Sequence, residues 1–173
     1  VHILNKTLLV YYTEHHHNNH KPTNEDKVAL ELKRLFEEKK YTIDVLPLES
    51  TKKLHLKDQF KKEKEIELKT NIPNLSNYKC IIIGTPIVGA MTSSPIINSF
   101  IRQIKFEKTN SKPQFAIYST GIMHGFELKK MTSLLSMKGI KPINSECFSS
   151  MFDFDSKKLN EVKLFFDRFI ELI

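Results

Sequence analysis

Residues 79 to 95 read KCIIIGTPIVGAMTSSP. Lys79 to Gly84 is a short, continuously apolar run, the pattern of a strand covered on both faces. The residues that follow, up to Ser93, are small and uncharged. Ser94 and Pro95 then open a helix, with Ser at the N-cap and Pro at the first helical position. Ile96, Ile97, Phe100, Ile101 and Ile104 supply its buried stripe. A covered strand that turns directly into a capped helix is half of a strand–helix–strand unit, which implies a parallel sheet.

The same alternation recurs on both sides. Leu8 to Tyr12 reads as a short strand. Asn24 to about Lys40 reads as a helix, with Val28, Leu30, Leu32, Leu35 and Phe36 at helical spacing. Tyr41 to Leu46 alternates as a strand. Residues 51 to 69 read as a polar helix weakly anchored by Leu54, Leu56 and Phe60, and Pro73 ends the segment. Beyond the quoted stretch, Gln114 to Ser119 is a strand. Glu127 to Lys138 is a helix with Leu128, Met131, Leu134 and Leu135 inward and Gly139 as its stop. Pro142 to Phe148 gives the last strand. Lys157 to Leu172 gives the last helix, with Leu159, Val162, Phe165, Phe166, Phe169 and Ile170 on its face. Five strands alternating with five helices predict one doubly wound α/β domain over residues 1–173, with helices on both faces of the sheet. Ligands of such sheets bind at the carboxyl ends of the strands. Those ends are Thr13, Thr85 and Ser119, with the loops after them.

Composition bounds the function. The chain has 173 residues and is 40% hydrophobic, enough for one real core. No apolar run approaches the roughly 20 residues that span a bilayer, and the N-terminus shows no secretory signal, so a cytoplasmic protein is expected. Cys80 and Cys147 lie in apolar runs and read as free thiols in a reducing compartment. The net charge is +7, carried mostly by lysine. Its densest stretch, Lys57 to Lys69, is interleaved with Glu. It reads as a solvated helix face and not as a nucleic-acid surface.

His15, His16, His17 and His20 lie between the first strand and the first helix. Imidazoles suit zinc or nickel. Yet neighbouring histidines in a polar loop also chelate metal adventitiously, and no dedicated metal site is expected. A hydrolase reading of Ser119 fails because Tyr118-Ser119-Thr120-Gly121 lacks the first glycine of a nucleophile elbow. Neither a P-loop lysine nor a dinucleotide G-x-G-x-x-G is present. Phe148, Met151, Phe152 and Phe154 form an aromatic patch after the last strand, read as packing under the final helix or as a partner-docking patch.

The segments KTLLVYYT, YKCIIIGTPIVGAMTSSPIINSFI and FAIYSTG together resemble the flavodoxin-like superfamily. The likeness is to small members with a strand-end G-T-P-[IV]-[WY]-A-G-x-x-S-S-P segment, and it runs from Lys6 to Ile173. It implies a three-layer sandwich with a five-stranded parallel sheet in the order 2-1-3-4-5. It also implies a non-covalent FMN held by three loops, the first on the phosphate, the second and third on the isoalloxazine. Carried over residue by residue, the cofactor-binding set is Thr13, Thr23 and Asn24 in the first loop. Thr85, Pro86, Ile87, Val88, Gly89, Ala90 and Met91 follow in the second, and Ser119, Thr120, Gly121 and Ile122 in the third. The chain departs from the family at several points. Thr23 stands where a glycine is usual, Glu25 where the last Thr is usual, and His15 to Lys21 are inserted. Val88 replaces the usual aromatic, and Gly89-Ala90 inverts the usual order. Glu25 and Asp26 suit the helix dipole themselves and compete with a phosphate there.

The resemblance implies FMN-dependent redox chemistry, either electron transfer or reduction of a small substrate. The protein's part would be to fix the ring and tune it by hydrogen bonds and nearby charge. Met123, His124 and Phe126 stand beside the third loop as further candidates. Electron carriers of the family tend to be acidic, so a basic chain implies a different redox partner protein or a non-carrier role. The alternative is a flavodoxin-fold domain whose phosphate loop has degenerated and which binds another ligand or a protein.

Overall fold

The computed structural model describes residues 6–13, 21–52, 66–88, 92–106, 112–122 and 126–173. The order of elements is β1 (Thr7–Tyr11), α1 (Asn24–Glu38), β2 (Ile43–Pro47), β3 (Cys80–Val88), β4 (Thr92–Ser93), α2 (Pro95–Gln103), β5 (Gln114–Gly121), α3 (Glu127–Ser136), β6 (Asn144–Ser149) and α4 (Ser156–Leu172). Five strands form a parallel sheet in the order β2-β1-β3-β5-β6, and the two-residue β4 pairs antiparallel with the end of β3. Counting the long strands alone, this is the 2-1-3-4-5 order that the resemblance implies.

The inner strands β1, β3 and β5 are largely apolar because both faces of the sheet are covered there, whereas the edge strands β2 and β6 carry polar residues. Successive side chains point to opposite faces. Leu8, Val10, Ile81, Ile83, Phe115 and Ile117 pack with Ile97, Phe100 and Ile101 of α2 and Met131 and Leu135 of α3. Leu9, Tyr11, Ile82, Ala116, Tyr118 and Phe148 pack on the other face with Val28, Leu32 and Phe36 of α1 and Phe165, Phe166 and Phe169 of α4. The two helices of this second layer meet through aromatic edges: the Phe36 and Phe166 rings are 4.9 Å apart and nearly perpendicular.

The helix ends follow local chemistry. Ser94 caps α2, accepting from the Ile96 N–H at 3.3 Å, with Pro95 as its first residue. Past α3, Gly139 takes φ +70°, a turn conformation that a Cβ would strain. Asp155 caps α4 by accepting from the Lys158 N–H at 3.0 Å.

The polar helix expected over 51–69 is not helical at its described ends. Ser50 and Leu68 form an antiparallel bridge, and backbone bonds run from Lys69 to Glu49 and from Thr51 to Glu67. Ile66 and Leu68 alternate with charged residues and pack partly against the core, a period of two that suits extended chain. Residues 53–65 lie outside the described residues, as do the histidines at 15–17 and 20. No described helix is long and apolar enough to cross a membrane.

Candidate functional site at the carboxyl rim of the sheet

The described ends of the first turn are tied together by their own side chains. Thr23 is the N-cap of α1 and forms a reciprocal capping box with Asp26. The Thr23 hydroxyl accepts from the Asp26 N–H at 3.2 Å, while Asp26 Oδ2 accepts from the Thr23 N–H and from the Thr23 hydroxyl, both at 3.0 Å. Asp26 Oδ1 accepts from the Tyr11 hydroxyl at 2.9 Å. The buried Thr13 hydroxyl lies 3.0 Å from Thr23 Oγ1. A hydroxyl has one proton, and that of Thr23 goes to the carboxylate, so Thr13 is the donor of this pair. Asn24 faces the loop after β6. Its amide donates to the Phe152 carbonyl at 3.1 Å, and its oxygen accepts from the Phe154 N–H at 2.8 Å.

Acidic charge is concentrated beneath this turn. The Tyr11 hydroxyl titrates well above its usual range, first because it is buried and then because Asp26 accepts its proton and Glu25 lies near. Burial also pushes Tyr118 up, and the charges of Tyr11, Glu25 and Asp26 add to the effect.

The second turn is pinned at its base. β3 continues past the sheet to Val88 and folds back, pairing Ile87 with Ser93 and Val88 with Thr92. The buried Thr85 hydroxyl accepts from the Ser94 N–H and donates to the Pro86 carbonyl, both at 2.9 Å. Ser93 donates to Asn98 Oδ1 at 2.6 Å. These bonds tie the start of α2 to the end of β3. Gly89, Ala90 and Met91 lie outside the described residues.

The third turn carries a buried carboxylate. The Ser119 hydroxyl donates to Glu127 Oε1 at 3.0 Å, and both side chains are fully buried. Cys147 stands beside Ser119 on β6. Burial raises its thiol pKa above the usual value, against a lowering contribution from its bond to Ser119, while the nearby Glu127 carboxylate raises it further. The next residue, Thr120, donates to Glu25 Oε1 at 3.1 Å and so links the third turn to the first. At Gly121 a Cβ would stand 2.8 Å from the Ile87 side chain, so the glycine lets these two strand ends pack closely. Ile122 and Phe126 are largely exposed. Met123 and His124 lie outside the described residues.

A cavity of about 450 Å³ opens at this rim, within the size range of small-molecule sites. It is lined by residues 21–25, by Thr120, Gly121 and Ile122, and by residues 150–153. Among the proposed binding residues it therefore joins the first and third turns. Thr85 to Val88 do not line it, and Ser119 and Thr13 are buried behind it. The loop at 150–153 enters the wall unforeseen. The sequence marked Met151 and Phe152 as part of an aromatic patch, and Phe148 and Phe154 of that patch do pack against α4. Met151 and Phe152 instead project outward, 74% and 79% exposed. Lys21 closes the rim through an ion pair with Asp153 at 2.6 Å, which raises the lysine pKa and lowers that of the carboxyl.

No protein-family model and no curated protein matches the sequence. Solved structures do resemble it. A flavoprotein in complex with FMN from Lactobacillus acidophilus NCFM superposes with a TM-score of 0.64 at 14% identity, covering 92% of this chain and 99% of that one. The chain has a flavodoxin-like fold. A flavodoxin from the domain Archaea gives 0.60 at 13% identity over 96% and 97% of the two chains. Fusobacterium nucleatum flavodoxin bound to flavin mononucleotide gives 0.58 at 9% over 97% and 98%.

The flavodoxin-like rim suits some parts of a flavin better than others. Of the second- and third-turn residues read from the sequence, Thr120, Gly121 and Ile122 line the cavity, and they are uncharged, which would suit a ring or a polyol. At the start of α1 the Asp26 carboxylate accepts from the Thr23 N–H, the Thr23 hydroxyl and the Tyr11 hydroxyl, so a phosphate placed there would face an acid.

Proposed function

We propose that the chain is a flavin-binding redox protein, with FMN as the flavin that its structural neighbours carry. The reading is supported by likeness to FMN-bound proteins over more than nine-tenths of the chain. The binding set is the one read from the sequence: Thr13, Thr23 and Asn24, then residues 85 to 91, then Ser119 to Ile122, on one flavodoxin-like domain. When bound, the flavin supplies one- or two-electron chemistry, used for electron transfer or reduction of a small substrate. The chain's own groups position it. The Thr85 bonds hold the second loop, and the Ser119–Glu127 pair fixes the end of β5. A cytoplasmic setting suits the free thiols of Cys80 and Cys147. A redox partner protein would meet the exposed side chains of Ile122, Phe126, Met151 and Phe152.

The test is direct. Purified protein incubated with FMN or riboflavin and then desalted should stay yellow and quench flavin fluorescence. Protein that stays colourless with both compounds removes the proposal. A second reading then gains: the fold is kept as a ligand- or protein-binding domain. The observation favouring it is the capping box that seals the first turn.

A further inference from the structure

We infer that Glu25 and Asp26 stand in for the cofactor's phosphate at the start of α1, so the site takes an unphosphorylated flavin, riboflavin, more tightly than FMN. The inference rests on the flavin reading above and narrows its ligand class.

A helix N-terminus attracts an anion through unsatisfied N–H groups and the helix dipole. Here the anion is part of the chain. The Asp26 carboxylate accepts from the Thr23 N–H, the Thr23 hydroxyl and the Tyr11 hydroxyl. The side chains that the resemblance assigns to the phosphate are all engaged. Thr13 donates to Thr23, and Thr23 serves Asp26. Asn24 uses both ends of its amide on residues 152 and 154. From the third turn, Thr120 donates to Glu25, and the nearby Lys21 is paired with Asp153. Among the described residues, a phosphate arriving there meets two carboxylates, and the side-chain donors beside them already have partners.

The riboflavin tail ends in a hydroxyl. It carries no charge, and its hydroxyls can donate to a carboxylate such as Glu25. The same two acids that repel a phosphate ester therefore suit a polyol. Like-charge repulsion between a dianion and one or two carboxylates at contact distance corresponds to roughly tenfold or more in affinity.

The experiment titrates the full chain with riboflavin and with FMN by fluorescence quenching at pH 8, above the ordinary range of imidazole titration, about 6.5. Riboflavin should bind about tenfold more tightly. Added salt should strengthen FMN binding by screening repulsion and leave riboflavin unchanged. The variant Glu25→Gln, which keeps an acceptor oxygen but removes the charge, should narrow the gap several-fold, chiefly by improving FMN. The salt series needs no variant and stands even if this one folds poorly. FMN binding as tightly as riboflavin, or weakening with salt, overturns the inference and leaves the flavin reading intact. Failure of both flavins to bind overturns the two together.

Discussion

The Tyr118 ring lies across Gly84: a Cβ on residue 84 would stand 2.1 Å from Tyr118 Cζ and 2.4 Å from its hydroxyl oxygen. The two residues are register partners on β3 and β5, and Tyr11 of β1 is the next residue across. Only a residue without a side chain lets the ring reach over the sheet toward Tyr11. Gly84→Ala should therefore destabilise the fold by about 1–3 kcal/mol through overpacking. A urea midpoint unchanged from the parent would refute this contact.

Tyr118 also carries a cost. Its hydroxyl is buried with no hydrogen-bond partner among the described residues. Removing an orphaned polar group relieves its desolvation penalty. Tyr118→Phe should leave stability unchanged or raise it by up to about 1 kcal/mol, read from the same denaturation curves. A clear loss of stability would mean that the hydroxyl has a partner.

Thr85 predicts a link between packing and site. Its hydroxyl is the acceptor for the buried Ser94 N–H. Thr85→Val keeps the shape but orphans that donor, a cost of about 1–3 kcal/mol. Thr85→Ser keeps the hydroxyl and should lose less. Equal losses in the two variants would show that the methyl group, not the bond, matters.

Acid sensitivity has a local source at Asp44. Its carboxylate accepts from Lys6 at 2.9 Å and from the Tyr78 hydroxyl at 2.7 Å, and the bond to Lys6 leads in lowering its pKa. A depressed folded pKa gives stability that is present above the unfolded value, about 3.9, and is lost as pH falls through the folded one. Because the pair is substantially exposed, the contribution is small, at most about 1 kcal/mol. Asp44→Asn should be less stable than the parent at pH 7, with the gap starting to close only at about pH 4 and vanishing below the depressed folded pKa. A gap that persists in acid would point to packing instead of charge.

The thiols should be quiet in the native state. Burial pushes Cys80 up to about 11 and raises Cys147 as well. Thiolate is the reactive form, so at pH 8 only about one Cys80 in a thousand is ready to react. Alkylation should be slow until the chain unfolds. Rapid labelling of Cys80 in native buffer would contradict its burial.

The order of strands and helices was legible in the sequence, because period two and period 3.6 are local patterns that each element imposes on its own residues. Ser94-Pro95 and Gly139 marked their helix boundaries for the same reason. The segment around Ile66 and Leu68 was misread because charged neighbours at helical spacing outweighed a short alternation. Its pairing partner, residues 49–51, lies well before it in the chain, and local periodicity does not reveal such a pairing.

The sequence by itself determined the architecture and placed Glu25 and Asp26 beside the first loop. Only the tertiary structure decided what those side chains touch. Thr120 reaches Glu25, Asn24 binds the loop at 152–154, and Tyr118 covers Gly84 because strand register and helix docking bring together residues far apart in the chain. Local periodicity says which face a side chain takes. Which partner waits on that face depends on the twist of the sheet and on how every other element packs against it.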